Sequence, residues 1–201
     1  MSRNTNRDSN VVSESPLIAI DFASIGLSSD VLRIVEDPFL KHINIRGNAG
    51  DTAFMQAVES VLGVALPTSA NTAVIESALT ILWYGPSEWL VLCGNESEDT
   101  LLNQLRSALE GMHSLVTDIS GGNTVIDISG EKSRDLLKKA TTIDVHTRAC
   151  ATGDCALTIF AHASAALYQY DGAPSFRVVV RRSFADYIGT WLIDAAREYK
   201  I

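Results

Sequence analysis

Apolar and polar positions fall into a clear period from His42 onward. HINIRG has the two-residue alternation of a half-buried strand and stops at Gly47. GDTAFMQAVESVLG then sets Phe54, Val58, Val61 and Leu62 on one helical face, with Asp51 near the start and Gly63 at the end. Ala73 to Ile75, Thr80 to Tyr84 and Trp89 to Cys93 read as strands, the last two joined into a hairpin by Gly85-Pro86-Ser87. Leu101, Leu102, Leu105, Ala108 and Leu109 recur at helical spacing, which predicts a helix capped by Ser97 and running to about Gly111.

The second half repeats this order. LVTDIS and TVIDIS predict strands interrupted by Gly121-Gly122, and SGGNT between them has the composition of a hairpin turn. EKSRDLLKKAT predicts a helix after Gly130, its basic residues placed late, where they suit the helix dipole. CALTIFAHA, AALYQYDGAP and FRVVVRRS predict three more strands, followed by a last helix launched from Arg181 and Arg182. Ile45-Arg46-Gly47 ahead of one helix corresponds to Ile128-Ser129-Gly130 ahead of another. Strand, helix, strand pair, helix, strand, performed twice, predicts an α+β fold of duplicated ferredoxin-like split βαβ units with mostly antiparallel sheet. The expected sub-repeats are about 42–120 and 121–201, within one domain over 17–201. Residues 1–16, almost without apolar side chains, are expected to form a flexible N-terminal arm. Pro16 to Pro38 alternates too irregularly for more than strand or loop fragments.

Composition then narrows the function. The chain has 201 residues, 46% of them hydrophobic and 20% charged, in the ordinary globular range. A formal net charge of −8, with no dense Lys/Arg cluster, argues against nucleic acid as the main partner. The runs Ile81 to Tyr84 and Ala163 to Leu167 are too short to cross a bilayer. Three cysteines, an odd number, and the polar opening MSRNTNRDSN fit a cytoplasmic protein.

Catalytic chemistry finds little support. Cys93 closes the apolar strand WLVLC and reads as a small core residue. Cys150 and Cys155, in RACATGDCA, have C-x4-C spacing, unlike a zinc ribbon or a redox dithiol, although His146 and His162 lie near in sequence. They are expected to belong to a loop, and no zinc is expected on Cys150, Cys155 and His146. G-x-G-x-x-G, G-K-[ST], H-E-x-x-H and G-x-S-x-G are absent from the sequence. No catalytic, cofactor-binding or metal residue is assigned. The last helix sets Phe184, Ile188, Trp191, Leu192 and Ala195 on a broad apolar stripe, expected to be buried. Arg181 and Arg182 are expected to project outward and are the candidate partner interface.

Three segments carry a resemblance: YGPSEWLVL, VTDISGGNTVIDISGEKSRDLLKKATTIDVH and PSFRVVVRRSFADYIGTWL. Together they contain G-P-x-E-W-L, D-[IV]-S-x-x-x-T-V-I-x-[IL]-S-G, D-[LV]-H and R-S-F-A-D-Y, from about Tyr84 to Leu192. This combination resembles the gamma subunit of heterotetrameric sarcosine oxidase. The resemblance implies a fold similar to the folate-binding domain of aminomethyltransferase and a cytoplasmic complex with alpha, beta and delta subunits. It also implies that the complex oxidises sarcosine to glycine with tetrahydrofolate and oxygen, giving methylene-tetrahydrofolate and peroxide. FAD, FMN, NAD and zinc would be held by the other subunits, and none by this chain. The alternatives are a sister complex acting on another N-methyl amino acid, or a module that binds folate by itself.

Overall fold

The computed structural model describes residues 13–77, 79–94 and 98–200; Ser97 and most of the expected N-terminal arm lie outside them. One antiparallel sheet contains β2 (Lys41–Arg46), β3 (Ala73–Ile75), β4 (Leu79–Gly85), β5 (Glu88–Cys93) and β6 (Leu115–Asp118). The other contains β1 (Arg33–Asp37), β7 (Asn123–Ser129), β8 (Cys155–Phe160), β9 (Ala163–Asp171) and β10 (Ser175–Arg181). Their strand orders are β3-β4-β5-β2-β6 and β1-β7-β10-β9-β8. The helices are α1 (Thr52–Leu62), α2 (Glu98–Ala108), α3 (Ser133–Ala140) and α4 (Arg182–Ala195). The α+β class and the antiparallel sheets are as the sequence predicts.

Alternation along the strands sorts the side chains into layers. On the outer face of the first sheet, Ile43, Ile45, Trp89 and Val91 pack with Phe54 and Val58 of α1 and Leu105 of α2. On the outer face of the second, Ile126, Ile128, Val178 and Val180 pack with Leu136 and Leu137 of α3 and Ile188 and Leu192 of α4. The inner faces meet one another: Leu82, Leu90 and Leu92 of the first sheet cluster with Val125, Ala166, Tyr168 and Val179 of the second. The order of layers is therefore helices, sheet, sheet, helices.

The two sheets follow one plan. β2 and β7 each precede a helix, and each pairs on one side with the second strand of a hairpin, β5 or β10. The other side of β2 is filled by β6, which follows α2. The corresponding side of β7 is filled by β1, which precedes everything else in the fold. The irregular 16–38 stretch thus supplies an edge strand to the sheet built otherwise from the second half.

SGGNT is not a hairpin turn. β6 pairs with β2, and β7 lies between β1 and β10, so the two strands belong to different sheets. Ser120–Gly122 forms one turn of 3-10 helix that carries the chain across. Glycines in a short polar connection suit either geometry, and only the tertiary pairing separates them.

Gly130 has φ 103°, and a Cβ there would stand 2.8 Å from the Asp30 carbonyl oxygen and 2.9 Å from that of Val31. The same two oxygens accept from the amides of Glu131 at 3.1 Å and Lys132 at 2.8 Å, tying the loop before β1 to the entry of α3. Gly63, which ends α1 with φ 74°, has open space around it. Gly130→Ala is predicted to cost about 3 kcal/mol, from strain plus clash. Gly63→Ala should cost about 1 kcal/mol, from strain alone. Urea unfolding of both variants measures the difference.

His42, on β2, is 1% exposed, and its Nδ1 lies 2.9 Å from the Leu40 carbonyl oxygen. Burial holds its pKa at about 4, below the ordinary 6.5, and the Leu40 carbonyl and Asp118 only partly oppose this. The unfolded chain therefore takes up this proton first as the pH falls. Stability present above pH 6.5 should decline by about 3 kcal/mol on the way to pH 4. Asp118 is held at about 2: burial raises it, but hydrogen bonds from Ser120 and Lys41 outweigh that, so its contribution is lost only below this window. Urea melts between pH 7 and 4 should show the decline, and His42→Gln should flatten it.

Candidate functional site

The two sheets splay at one end, where β2, β4 and β10 stop, and leave an open groove of about 990 Å³. Asn44 and Arg46 reach it because they share the inner face of β2, opposite Ile43 and Ile45. Glu88 Oε1 accepts from Asn44 Nδ2 at 2.8 Å and from an Arg46 guanidinium nitrogen at 2.9 Å, so this wall is a bonded polar cluster. Tyr84 stands beside it; burial, followed by the nearby Cys155 and Glu88, pushes its phenol well above the ordinary range. The opposite wall is mostly apolar and includes Leu157, Ile159, Ala166 and Val179. Leu157 and Ile159 keep 53% and 51% of their surface exposed, a large fraction for strand side chains on the inner face of a sheet.

Arg181 and Arg182 are both exposed but do not act as a pair. Arg181 is the last residue of β10 and lines the groove. Arg182 opens α4, and its guanidinium donates to the Glu14 carbonyl at 3.3 Å. No side chain caps α4. Arg181 forms no ion pair with the described residues, whereas Arg46 on the facing wall is engaged by Glu88.

The expected buried stripe of α4 needs correction at Phe184. The buried line is Ala185, Ile188, Gly189 and Leu192, where small residues allow close approach. A Cβ on Gly189 would stand 2.6 Å from Ile20 Cδ1, so the segment before β1 packs directly against this helix. Phe184, Tyr187 and Trp191 follow the neighbouring line at i, i+3 and i+7 and are turned toward the edge. Phe184 and Tyr187 are exposed, and Trp191 is half-buried with its ring 5.9 Å from that of Phe160.

The cysteines are separated by the layers. Cys150 lies in the core beneath α3 and α4, and Cys155 lies between the sheets, its thiol donating to the Thr72 carbonyl at 3.1 Å. Burial raises both thiols, Cys155 to about 11. His146 is exposed on the loop after α3. Among the described residues no three His, Cys, Asp or Glu side chains gather as metal ligands.

At two helix entries the amides that a nucleotide phosphate would use are already taken. Asp51 accepts from the amides of Ala53 and Phe54 at the start of α1, placing a carboxylate where a phosphate would go. At α3, the carbonyl oxygens of Asp30 and Val31 occupy the amides after Gly130. Sequence reading singled out Arg181 but missed Asn44, Arg46, Glu88 and the Leu157–Ile159 wall. Alternation in HINIR does put Asn44 and Arg46 on one face. Nothing local says that this face opens into a groove.

Comparison with known proteins first defines the fold class. Aminomethyltransferase T of the glycine cleavage system from Bartonella henselae superposes with a TM-score of 0.64 at 10% identity, over 90% of this chain and 57% of that chain. The two share their fold over that region. Residues 46–198 match the sarcosine oxidase, gamma subunit family, and the chain belongs to that family. The sarcosine oxidase gamma subunits of Corynebacterium sp. (strain U-96) and Arthrobacter sp. are each 28% identical to it, over 99% of this chain and 97% of their own length. A chain of the heterotetrameric sarcosine oxidase from Corynebacterium sp. U-96, solved in complex with pyrrole 2-carboxylate, superposes with a TM-score of 0.85. That match has 26% identity and covers 94% of this chain and 97% of the other.

The two lines of α4 predict different outcomes for aromatic removal. Trp191→Ala should cost about 2 kcal/mol, less than the ~3–5 kcal/mol of a fully buried ring, because part of its surface already meets water. Phe184→Ala should stay within about 0.5 kcal/mol of the parent. Thermal melting of the two variants measures both.

Proposed function

We propose that this chain is a non-catalytic, structural gamma subunit of a heterotetrameric sarcosine oxidase, held in place by alpha, beta and delta subunits. In this reading the complex removes the N-methyl group of sarcosine oxidatively. Sarcosine, tetrahydrofolate and oxygen give glycine, methylene-tetrahydrofolate and hydrogen peroxide. FAD, FMN, NAD and zinc belong to the other subunits, and this chain contributes shape and surface. The family match over residues 46–198, together with near-complete coverage of the gamma subunit relatives, is the observation that carries the reading.

The exposed surface supports a docking role. Phe184 and Tyr187 form an apolar rim beside Arg182, and Ile18, 68% exposed, lies on the segment packed against the same helix. Aromatic residues and arginine are the side chains that anchor protein interfaces most often. Replacing Arg181→Ala and Arg182→Ala together should leave the melting temperature nearly unchanged, because exposed charges contribute little to stability. Association with the flavin-bearing subunits should weaken about tenfold, as loss of an interface anchor does. A quantitative pull-down beside thermal melting makes the measurement. Equal capture of the double variant and the parent would remove the arginines from the interface. Stoichiometric flavin on this chain alone would contradict the non-catalytic role.

A further inference from the structure

We propose that an extended peptide segment of another oxidase subunit pairs with the β8 edge at Leu157–Ile159, at the mouth of the groove between the sheets, and turns an acidic side chain across the groove toward Arg181. This inference rests on the subunit reading above and assigns the surface through which that role is exercised.

The wall itself selects a peptide. β8 is the edge of its sheet and pairs with β9 alone over its middle. Its outer side is occupied at both ends: the Cys155 amide donates to the Asn71 carbonyl at 2.9 Å, and that of Ala161 donates to the Ala140 carbonyl at 2.7 Å. Because strand residues alternate, Leu157 and Ile159 turn their amides the same way as Cys155 and Ala161. Among the described residues no backbone group meets the amides of Leu157 and Ile159 or the Leu157 carbonyl. A donor and acceptor on one strand residue are matched by the backbone of another extended chain.

The side chains agree with that occupant. Leu157 and Ile159, about half exposed, sit where alternate apolar side chains of the incoming segment would cover them. Natural sheets ordinarily protect an apolar edge with charge, proline or a covering element. Here β8 carries Ala156, Leu157, Thr158 and Ile159 at its opening, with no charged residue among them. Arg181 supplies the polar end of the match. It faces the groove, without an ion pair to any described residue, at the uncapped start of α4, so strand and helix both favour an incoming carboxylate.

Hydrogen exchange on the assembled heterotetramer tests the proposal, compared with the full-length chain by itself. The amides of Leu157 and Ile159 should exchange at least about tenfold more slowly in the complex, and one segment of another subunit should gain protection at the same time. In a complex carrying Leu157→Lys that reciprocal protection should disappear, and association should weaken about tenfold while the chain still melts like the parent. Unchanged exchange at Leu157 and Ile159 within an intact heterotetramer would overturn the groove inference and leave the subunit reading standing. So would protection with no reciprocal segment in another subunit, the pattern expected of a small ligand or a second copy of this chain. Failure of the parent chain to join the other subunits at all would remove both.

Discussion

Contact between the inner faces of the two sheets is the constraint on which the rest of this structure depends. Each sheet covers its outer face with its own helices, but neither has helices left for the inner face. Leu82, Leu90 and Leu92 are withdrawn from water only because Val125, Ala166, Tyr168 and Val179 lie opposite. At about 25 cal/mol per Å² of apolar surface removed, this contact holds the two sheets face to face. β1 reinforces it, since a segment that precedes the first sheet in sequence supplies an edge strand of the second.

The groove follows from the same contact. Twisted sheets pack at an angle to one another, and here they leave a groove where β2, β4 and β10 end. One wall then acquires the polar cluster of Asn44, Arg46 and Glu88, while the other keeps apolar side chains. Arg181 sits at the junction because β10 ends there and α4 begins. The final helix thus has two functions: Ala185, Ile188 and Leu192 close a core, and the line from Phe184 to Tyr187 remains available at the surface.

Much of this was legible in local pattern. The alternation in HINIRG, the spacing of Phe54, Val58 and Leu62, and the turn Gly85-Pro86-Ser87 place β2, α1 and the β4–β5 hairpin close to where they occur. Each of these depends on neighbours within a few residues. β1 and the Ser120–Gly122 crossing were not legible, because both are decided by partners far away: β1 by pairing with β7, the crossing by the commitment of β6 to β2. Phe184 was assigned to the wrong face for a related reason. Its spacing from Ile188 suits a stripe, but Ala185 and Gly189 are the residues small enough to meet the packed segment before β1. Arg181 was recognisable as outward-facing, while the cavity it lines requires both sheets.

The role proposed for this chain is to complete an assembly whose chemistry lies on other subunits. The most direct measurement is to express the remaining oxidase subunits with and without it and determine the mass, flavin content and turnover of what can be purified. Without this chain the heterotetramer is expected not to form stably and sarcosine oxidation to be lost or to decay rapidly, and adding the chain should restore both. A stable complex of the other subunits with undiminished turnover in its absence would contradict it.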